Sequence, residues 1–199
     1  MTLYELIRSR RSIRRYTDQR VPTEVIERLL TAATWAPSAH NRQPWRFATV
    51  VADSAKETLA AAMGERLRAD RLADGDPVEA VEADVARSRA RLTSAPVVIA
   101  VCLSMADMDR YPDPRRGDAE QVMAIQSVAM AVQNLLLTAH AEGLGACWMC
   151  APLFCPDVVK DALDLPNDWE SQALITLGYP ANEGKPTVRK LREDVRVWR

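Results

Sequence analysis

The fold is decided by the stretch DAEQVMAIQSVAMAVQNLLLTAHAE, residues 118–142, which runs for 25 residues without proline or glycine. Apolar residues such as Val122, Ile125, Val132 and Leu136 cover most of the circumference of the helix that this stretch predicts. A helix that is apolar nearly all round must be buried nearly all round. We therefore expect it to form the spine of the protein and also to pack against a second copy of the chain, because a domain of this size has limited surface with which to cover it.

The segments on either side of this helix predict one domain, residues 1–199, without a repeat or a linker. The run APVVIAVCL, residues 95–103, is almost continuously apolar, which is typical of a central strand that is covered on both faces. Three further strands are predicted at residues 45–52, 144–150 and 171–179. Further helices are predicted at 3–8, from residue 23 onward, from a capping Ser54 to about Leu72, at 77–92 and at 156–163.

Composition excludes several classes of protein. Hydrophobic residues make up 48% of the chain and charged residues 27%, with a formal net charge of -1. These values exclude disorder and a general attraction to nucleic acid or to anionic membranes. The N-terminus lacks the pattern of a signal peptide, and no uncharged apolar stretch approaches the length of a membrane span, so we expect a cytoplasmic protein.

Four cysteines and two histidines offer little metal chemistry. Cys102, Cys147, Cys150 and Cys155 stand mainly in apolar surroundings, which suits a reducing compartment and predicts no disulfide framework. Cys147 and Cys150 have the C-x-x-C spacing of metal and dithiol sites, but no second pair of ligands accompanies them. We therefore expect these side chains to pack in the core, and we predict no metal site.

The stretch RSRRSIRRY, residues 8–16, places five arginines near the start of the chain. Three interpretations are open: a solvated face, an arm that binds nucleic acid, and a clamp for the phosphate of a ligand. Ser12 and Ile13 interrupt the cluster and predicted helices enclose it, which argues against a flexible arm. Guanidinium groups bind phosphate through paired hydrogen bonds, and a serine hydroxyl can complete the site. The glycine-rich loops that hold phosphate in many nucleotide-binding proteins are absent.

Four motifs, in order, resemble the FMN-dependent nitroreductase family. They are RSRRSIRRYTDQRVP at 8–22, APSAHNRQPWRF at 36–47, GLGACWM at 143–149 and a basic C-terminal tail. The resemblance covers essentially the whole chain. It implies an α+β fold with a central, mostly antiparallel sheet flanked by helices, a homodimer with a long central interface helix, and FMN bound between the subunits.

The resemblance also implies a set of contacts with FMN. The N-terminal arginines and Ser12 would hold the phosphate together with Arg189 or Lys190, and Arg14 would serve the pyrimidine edge of the ring. Residues 37–39 of the other subunit would lie against the ring. No catalytic side chain is expected, because a flavin carries hydride chemistry itself. The implied cofactor-binding residues are Arg10, Arg11, Ser12, Ile13, Arg14, Pro37, Ser38, Ala39, Asn41, Gln43, Met149, Cys150 and Arg189, of which Asn41 and Gln43 would hold the shape of their loop.

Two further stretches are similar to the C-terminal reductase domain of the bifunctional enzyme of coenzyme F420 biosynthesis. They are RYPDPRRGDAEQVM at 110–123 and ALDLPNDWESQALITLGY at 162–179. This similarity implies that reduced FMN reduces a carbon–carbon double bond in the dehydro precursor of coenzyme F420. Ser38 and Asp70 would then contact the substrate.

Asp70 belongs to a segment of mixed charge, RADRLADGDP at 68–77. The resemblance makes this segment a lid whose arginines, with Arg66, would lie near the phosphate of the substrate. The alternative for the same segment is a solvated helix face with i,i+4 charge pairs.

Two other functions stay open at this point. One is a general nitroreductase or quinone reductase that takes electrons from NAD(P)H. The other is a flavin-binding protein without turnover. NAD(P)H is one candidate electron donor, the expected ligand is a small molecule, and no nucleic acid or membrane partner is expected.

Overall fold

The computed structural model describes residues 1–199 and contains one antiparallel sheet of four strands. The strands lie side by side in the order β1, β2, β4, β3. The predicted α+β fold with an antiparallel sheet is confirmed. The strands are β1 (Trp45–Val50), β2 (Val97–Leu103), β3 (Gly145–Met149) and β4 (Glu170–Gly178), and the helices are α1 (Leu3–Ser9), α2 (Thr23–Thr34), α3 (Asp53–Ala73), α4 (Val78–Thr93), α5 (Pro114–Ala141) and α6 (Pro156–Ala162).

Strand β2 lies between β1 and β4, and its two faces belong to two different hydrophobic clusters. Ile99 and Val101 pack in a cluster with α2 and α5, while Val98 and Ala100 pack in a cluster with α3, α4 and α6. Successive side chains of a strand point to opposite faces, so a sheet covered by helices on both sides makes every residue of this strand buried. The predicted central strand is confirmed.

Helix α5 begins at Pro114, four residues before the predicted start at Asp118. The carboxylate of Asp113 accepts a hydrogen bond from the N–H of Arg116 at 3.0 Å, and proline is well suited to the first turn of a helix. The sequence pattern missed this turn because its residues are polar. Apolar periodicity predicts only the part of a helix that faces a core.

Only one side of α5 is covered within the chain. Val128, Leu135 and other side chains on that side are buried under the sheet, whereas Val122 is 50% exposed and Ile125 and Met130 are each 40% exposed. By length and composition alone this helix could cross a membrane, which the sequence analysis did not expect. Nine of its residues are buried, and it is the central helix of this fold.

Two further differences from the predictions lie at the start of α3 and at the end of β1. Helix α3 begins at Asp53 after Ala52, and no side chain caps it, so the predicted cap by Ser54 is wrong. Lys56, buried in the first turn, instead binds the carboxylate of Asp53 at 2.9 Å and the carbonyl of Ala95 at 2.8 Å. Strand β1 ends at Val50, two residues before the predicted end.

Candidate active site

The arginine-rich segment after α1 lies against the sheet. The N–H of Ile13 donates to the carbonyl of Ala146 on β3 at 3.1 Å. The hydroxyl of Tyr16 lies 2.6 Å from the carbonyl oxygen of Ile13 and 3.0 Å from that of Thr176 on β4. Burial raises the pKa of Tyr16, so the phenol stays protonated and can donate. These contacts fix residues 10–16, called the arginine loop below, to the edge of the sheet.

Two glycines let the arginine loop come this close. A Cβ on Gly145 would lie 2.6 Å from the Cβ of Ile13, which is closer than two carbon atoms can approach. Gly184 has a φ of +76°, and a Cβ there would lie 2.9 Å from the Cβ of Arg11. Glycine is therefore required on both sides of the loop, on β3 and in the C-terminal segment.

A cleft opens between the arginine loop, β3, α4 and the C-terminal segment. It consists of two cavities of about 230 Å³ and 670 Å³, which share Arg14 and Arg91. The smaller cavity is lined by Arg14, Ser88, Arg91, Cys147, Trp148, Met149, Cys150, Ala151 and Thr176. The larger cavity is lined by Ser12, Arg14, Arg15, Arg87, Ala90, Arg91, Ser94, Asn182, Gly184 and Lys185.

The cleft carries positive charge that the protein does not neutralise. Arg14, Arg15, Arg91 and Lys185 line it, and none of the four forms a salt bridge. Of its lining cations only Arg87 is paired, with Asp84. Such a concentration of unpaired cations raises the local concentration of anions and favours an anionic ligand.

Arg10 and Arg189 extend this positive region. Burial, and then the positive charges of Arg189 and Arg11, lower the pKa of Arg10. Burial and the charges of Arg10 and Arg11 likewise lower the pKa of His140, whose Nε2 lies 2.7 Å from the hydroxyl of Ser9. The charge of Arg189 thus acts on Arg10, while the choice between Arg189 and Lys190 for the phosphate stays a prediction.

The structure does not bring all residues of the arginine loop to the cleft. The Nη1 of Arg11 donates to the carbonyls of Arg8, Ser9 and Arg10 at 2.6 to 3.0 Å, so this guanidinium braces the end of α1. Ile13 is 6% exposed and packs under Gly145. The guanidinium of Arg11 is thus engaged elsewhere and the side chain of Ile13 points into the core. The implied contacts of these two residues with a cofactor stay a prediction.

Met149 and Cys150 line the smaller cavity, as the resemblance implies. The thiol of Cys150 accepts a hydrogen bond from the indole Nε1 of Trp148 at 3.1 Å. Cys147 is 3% exposed, and burial raises the pKa of its thiol although Arg14 and Arg91 oppose that shift. The two cysteines of the C-x-x-C motif thus differ, since Cys147 is part of the core and Cys150 is exposed at the cleft.

The loop of residues 37–43 lies on the surface and lines neither cavity. Its backbone is folded back on itself, because the hydroxyl of Ser38 accepts from the N–H of Gln43 at 3.0 Å. The amide of Gln43 also donates to the side chain of Asn41 at 3.4 Å. These polar side chains hold the shape of the loop, which is the role that the resemblance implies for Asn41 and Gln43. The contacts of residues 37–39 with a flavin in the other subunit stay a prediction.

Asp70 is exposed near the end of α3 and lies outside the cleft. The segment around it is helical instead of forming a separate lid. Its arginines are neutralised by carboxylates, since Arg66 pairs with Asp157 at 2.8 Å and Arg68 pairs with Glu82 at 2.6 Å. Arg71 pairs with Asp76 and Asp84 in the same way. The segment is thus charge-paired, as the alternative expects, but these pairs join α3 to residues outside it and none has the i,i+4 spacing. The role of Asp70 at a substrate stays a prediction.

The sequence analysis missed the contribution of α4. Arg87, Ser88 and Arg91 stand on its last two turns and face the cleft. Their spacing places them on one side of the helix just before the central strand, which is the signal that could have identified them. Lys185, also missed, follows the glycine that lies against the arginine loop.

The sequence and the fold of this chain are similar to those of known proteins. A family model described as the Nitroreductase family matches residues 7–179. This chain belongs to the nitroreductase family. A Thermus thermophilus NADH dehydrogenase is 32% identical over an alignment that covers 96% of this chain and 92% of that protein. A Rhodospirillum rubrum 5,6-dimethylbenzimidazole synthase is 33% identical, and the alignment covers 89% of this chain and 82% of that protein.

A solved structure from the same family contains the cofactor. It is a Desulfovibrio desulfuricans protein described as a nitroreductase in complex with FMN, and it shares 30% identity with this chain. The two structures superpose with a TM-score of 0.76 over 100% of this chain and 98% of the other. Like other nitroreductases, this chain is an oxidoreductase.

The residues of the cleft fit FMN. The flavin ring is flat and largely apolar, and residues 148–151 give the smaller cavity an apolar wall. The phosphate carries about two negative charges at neutral pH, and the unpaired cations of the cleft offer the opposite charge. Gly145 and Gly184 keep the arginine loop close to the sheet, which leaves the cleft open above it.

Proposed function

We propose that this nitroreductase binds FMN, takes a hydride from NAD(P)H and passes it to an acceptor that carries negative charge. The observation that supports this proposal is the group of unpaired cations in and beside the cleft: Arg10, Arg14, Arg15, Arg91, Lys185 and Arg189. The phosphate of FMN brings about two negative charges, and the reduced ring adds a further one. Positive charge remains for a second anion, which is the acceptor or the phosphates of NAD(P)H.

In this proposal each side of the cleft has a separate task. Arg10, Arg189 and the hydroxyl of Ser12 hold the phosphate of FMN. Met149 and Cys150, which line the smaller cavity, would hold the ring through their backbone, and Arg14 and Arg91 in the same cavity would stabilise negative charge on it. When bound, FMN supplies the hydride chemistry. The protein binds and orients the two partners and needs no side chain as an acid or a base.

The acceptor that we propose is the dehydro precursor of coenzyme F420, a large anionic molecule. The similarity of residues 110–123 and 162–179 to the reductase domain of coenzyme F420 biosynthesis supports it. Arg15 and Lys185, which line the larger cavity and form no salt bridge, are the candidates for its phosphate in place of the arginines of α3, which are already paired. The names of relatives such as the Thermus thermophilus NADH dehydrogenase support a nicotinamide donor.

The test uses purified protein loaded with FMN and supplied with NADH or NADPH under anaerobic conditions. Mass spectrometry of the dehydro precursor should show a gain of two hydrogens. Replacing either Arg15 or Lys185 by glutamine should raise the KM for this acceptor about tenfold or more while FMN stays bound, since one hydrogen bond to a charged group contributes this much. Arg89→Gln is the matched control, because Arg89 lies on α4 and is paired with Glu57.

One result decides between the candidates for the acceptor, and two results decide whether Asp70 contacts it. Turnover of nitro compounds and quinones alone would contradict the coenzyme F420 assignment and favour the general reductase. Loss of precursor reduction in Asp70→Ala with FMN retained would support the contact proposed for Asp70 from the sequence. Unchanged activity in that variant would exclude it.

A second function is favoured by one relative. The 5,6-dimethylbenzimidazole synthase of Rhodospirillum rubrum matches this chain as well as the NADH dehydrogenase does. The FMN-loaded protein should therefore also be incubated with NADPH in air and its products separated by chromatography. Detection of 5,6-dimethylbenzimidazole would replace the reductase proposal, and its absence would remove this alternative.

A further inference from the structure

The loop of residues 37–43 has a strained backbone. His40, Asn41 and Gln43 have φ angles of 49°, 55° and 50°. Residues other than glycine rarely adopt this left-handed conformation, and it persists only where surrounding contacts impose it. The hydrogen bonds of Ser38, Asn41 and Gln43 within the loop fix its shape but do not attach it to the rest of the protein. Contacts with other elements must therefore hold it in position.

Ser127 of α5 makes the first of these contacts. Its hydroxyl accepts a hydrogen bond from the N–H of Ala39 at 3.2 Å and donates one to the carbonyl of Met123 at 2.7 Å. Ser127 is 1% exposed, so water cannot replace either partner. One buried hydroxyl therefore joins the first turn of the loop to the central helix.

Glu120 of α5 makes the second contact through one intermediate residue. Its Oε1 accepts from the N–H of Asp109 at 3.1 Å, and the carboxylate of Asp109 pairs with Arg42 in the loop. Glu120 is fully buried, and its Oε2 has no hydrogen-bond partner. A buried carboxylate oxygen without a partner destabilises a folded protein, so stability alone does not explain a glutamate at this position.

Glu120 and Ser127 are seven residues apart and therefore lie on the same side of α5. Ser127 contacts the loop directly, and Glu120 reaches it through Asp109. We propose that Glu120 and Ser127 are positioning residues, which hold the loop of residues 37–43 in the conformation in which it meets FMN. This proposal rests on the proposed binding of FMN, and on the contact of residues 37–39 with it that the family resemblance implies, for what the loop touches. It does not rest on them for how the loop is held.

The first experiment measures hydrogen exchange in the FMN-loaded protein. Ser127→Ala should make the amide of Ala39 exchange about tenfold faster, which is the order of effect expected for one lost hydrogen bond. Thr138→Ala is the matched control, because Thr138 is on the same helix and donates to the carbonyl of Asn134 at 2.9 Å without a contact to the loop. The control should leave the amide of Ala39 unchanged.

The second experiment compares Glu120→Leu with Glu120→Gln. Glutamine keeps an oxygen that can accept from Asp109, whereas leucine has a similar volume and no acceptor. We expect Glu120→Leu to raise the KM for the acceptor several-fold and to alter the flavin absorption spectrum, with kcat and FMN content nearly unchanged. Glu120→Gln should restore the values of the unsubstituted protein.

The outcomes separate this proposal from the proposed function. Unchanged exchange at Ala39 in Ser127→Ala would overturn the inference. Faster exchange with an unchanged KM and flavin spectrum in both Ser127→Ala and Glu120→Leu would also overturn it, because the loop would then have no effect at the flavin. Absence of FMN binding or of reductase activity in the unsubstituted protein would count against the proposed function instead.

Discussion

Glycine at position 145 determines where the arginine loop lies, because it has no side chain. Ile13 occupies the space that a Cβ on Gly145 would need, and its N–H is bound to the carbonyl of the next residue on the strand, Ala146. Neither Gly145 nor Ile13 can move freely, because Gly145 belongs to the backbone of β3 and the side chain of Ile13 is buried. Arg10, Ser12 and Arg14 depend on this contact for their place at the cleft.

Gly145→Ala should therefore displace the arginine loop and weaken FMN binding. We expect a loss of stability of about 1–3 kcal/mol from overpacking and at least a tenfold rise in the Kd for FMN. Flavin fluorescence titration and urea unfolding measure these two quantities.

The control for this substitution is Gly117→Ala. A Cβ on Gly117 meets nothing within 4 Å, and Gly117 lies inside α5, so alanine should stabilise the protein by about 0.5–1 kcal/mol. Wild-type FMN affinity in Gly145→Ala would show that the loop does not depend on this contact.

At the scale of elements, Tyr16 joins the arginine loop to the centre of the sheet. Its hydroxyl lies within hydrogen-bond distance of Ile13 in the loop and of both the carbonyl and the side chain of Thr176 on β4. Thr176 is 2% exposed and also lines the smaller cavity. One phenol thus connects the loop, the strand and the wall of the cleft.

Tyr16→Phe should lower the free energy of unfolding by about 1–3 kcal/mol, because buried acceptors lose their donor. FMN should also bind more weakly, since the arginine loop would be less firmly held. Tyr111→Phe is the comparison, because Tyr111 is exposed and its ring contacts only the guanidinium of Arg116 among charged groups. Equal unfolding free energies for the two variants in urea would contradict the role given to Tyr16.

At the scale of the whole molecule, α5 presents two different sides. One side is buried under the sheet and also carries Glu120 and Ser127, which hold the loop of residues 37–43. The other side exposes Val122, Ile125 and Met130. An exposed apolar stripe on a central helix favours association with a second copy of the chain, as the sequence predicts.

Ile125→Glu should convert a dimer into monomers. FMN should be lost together with the dimer, because the loop of residues 37–43 lines neither cavity of its own chain. Sedimentation velocity and the absorbance of bound flavin measure the two effects.

Val51→Glu is the matched control for this substitution, because Val51 is an exposed apolar residue, 57% exposed, that follows β1 and is not part of α5. It should leave both the dimer and the bound flavin unchanged. A stable, FMN-saturated monomer of the unsubstituted protein at low micromolar concentration would contradict the proposed assembly.

The sequence by itself determined the elements of this protein and the chemical character of its site. Helix periodicity, the apolar run of β2 and the arginine cluster are local properties of the chain, so they could be recognised before any contact was known. The motifs of residues 8–22, 36–47 and 143–149 were sufficient to indicate the family. Element ends were less certain, because the first turn of α5 depends on a polar cap and not on apolar spacing.

Only the tertiary structure decided which charges are free to bind a ligand. Arg66 and Arg68 looked available for a substrate, but their partners Asp157 and Glu82 are distant in sequence and meet them only after folding. The helical spacing of Arg91 with Arg87 and Ser88 indicates a shared side of α4, but only the folded chain shows that Arg91 lines the cleft together with β3 and has no carboxylate partner. A salt bridge between residues far apart in the sequence depends on a distance between two chain segments, and local sequence carries no information about that distance.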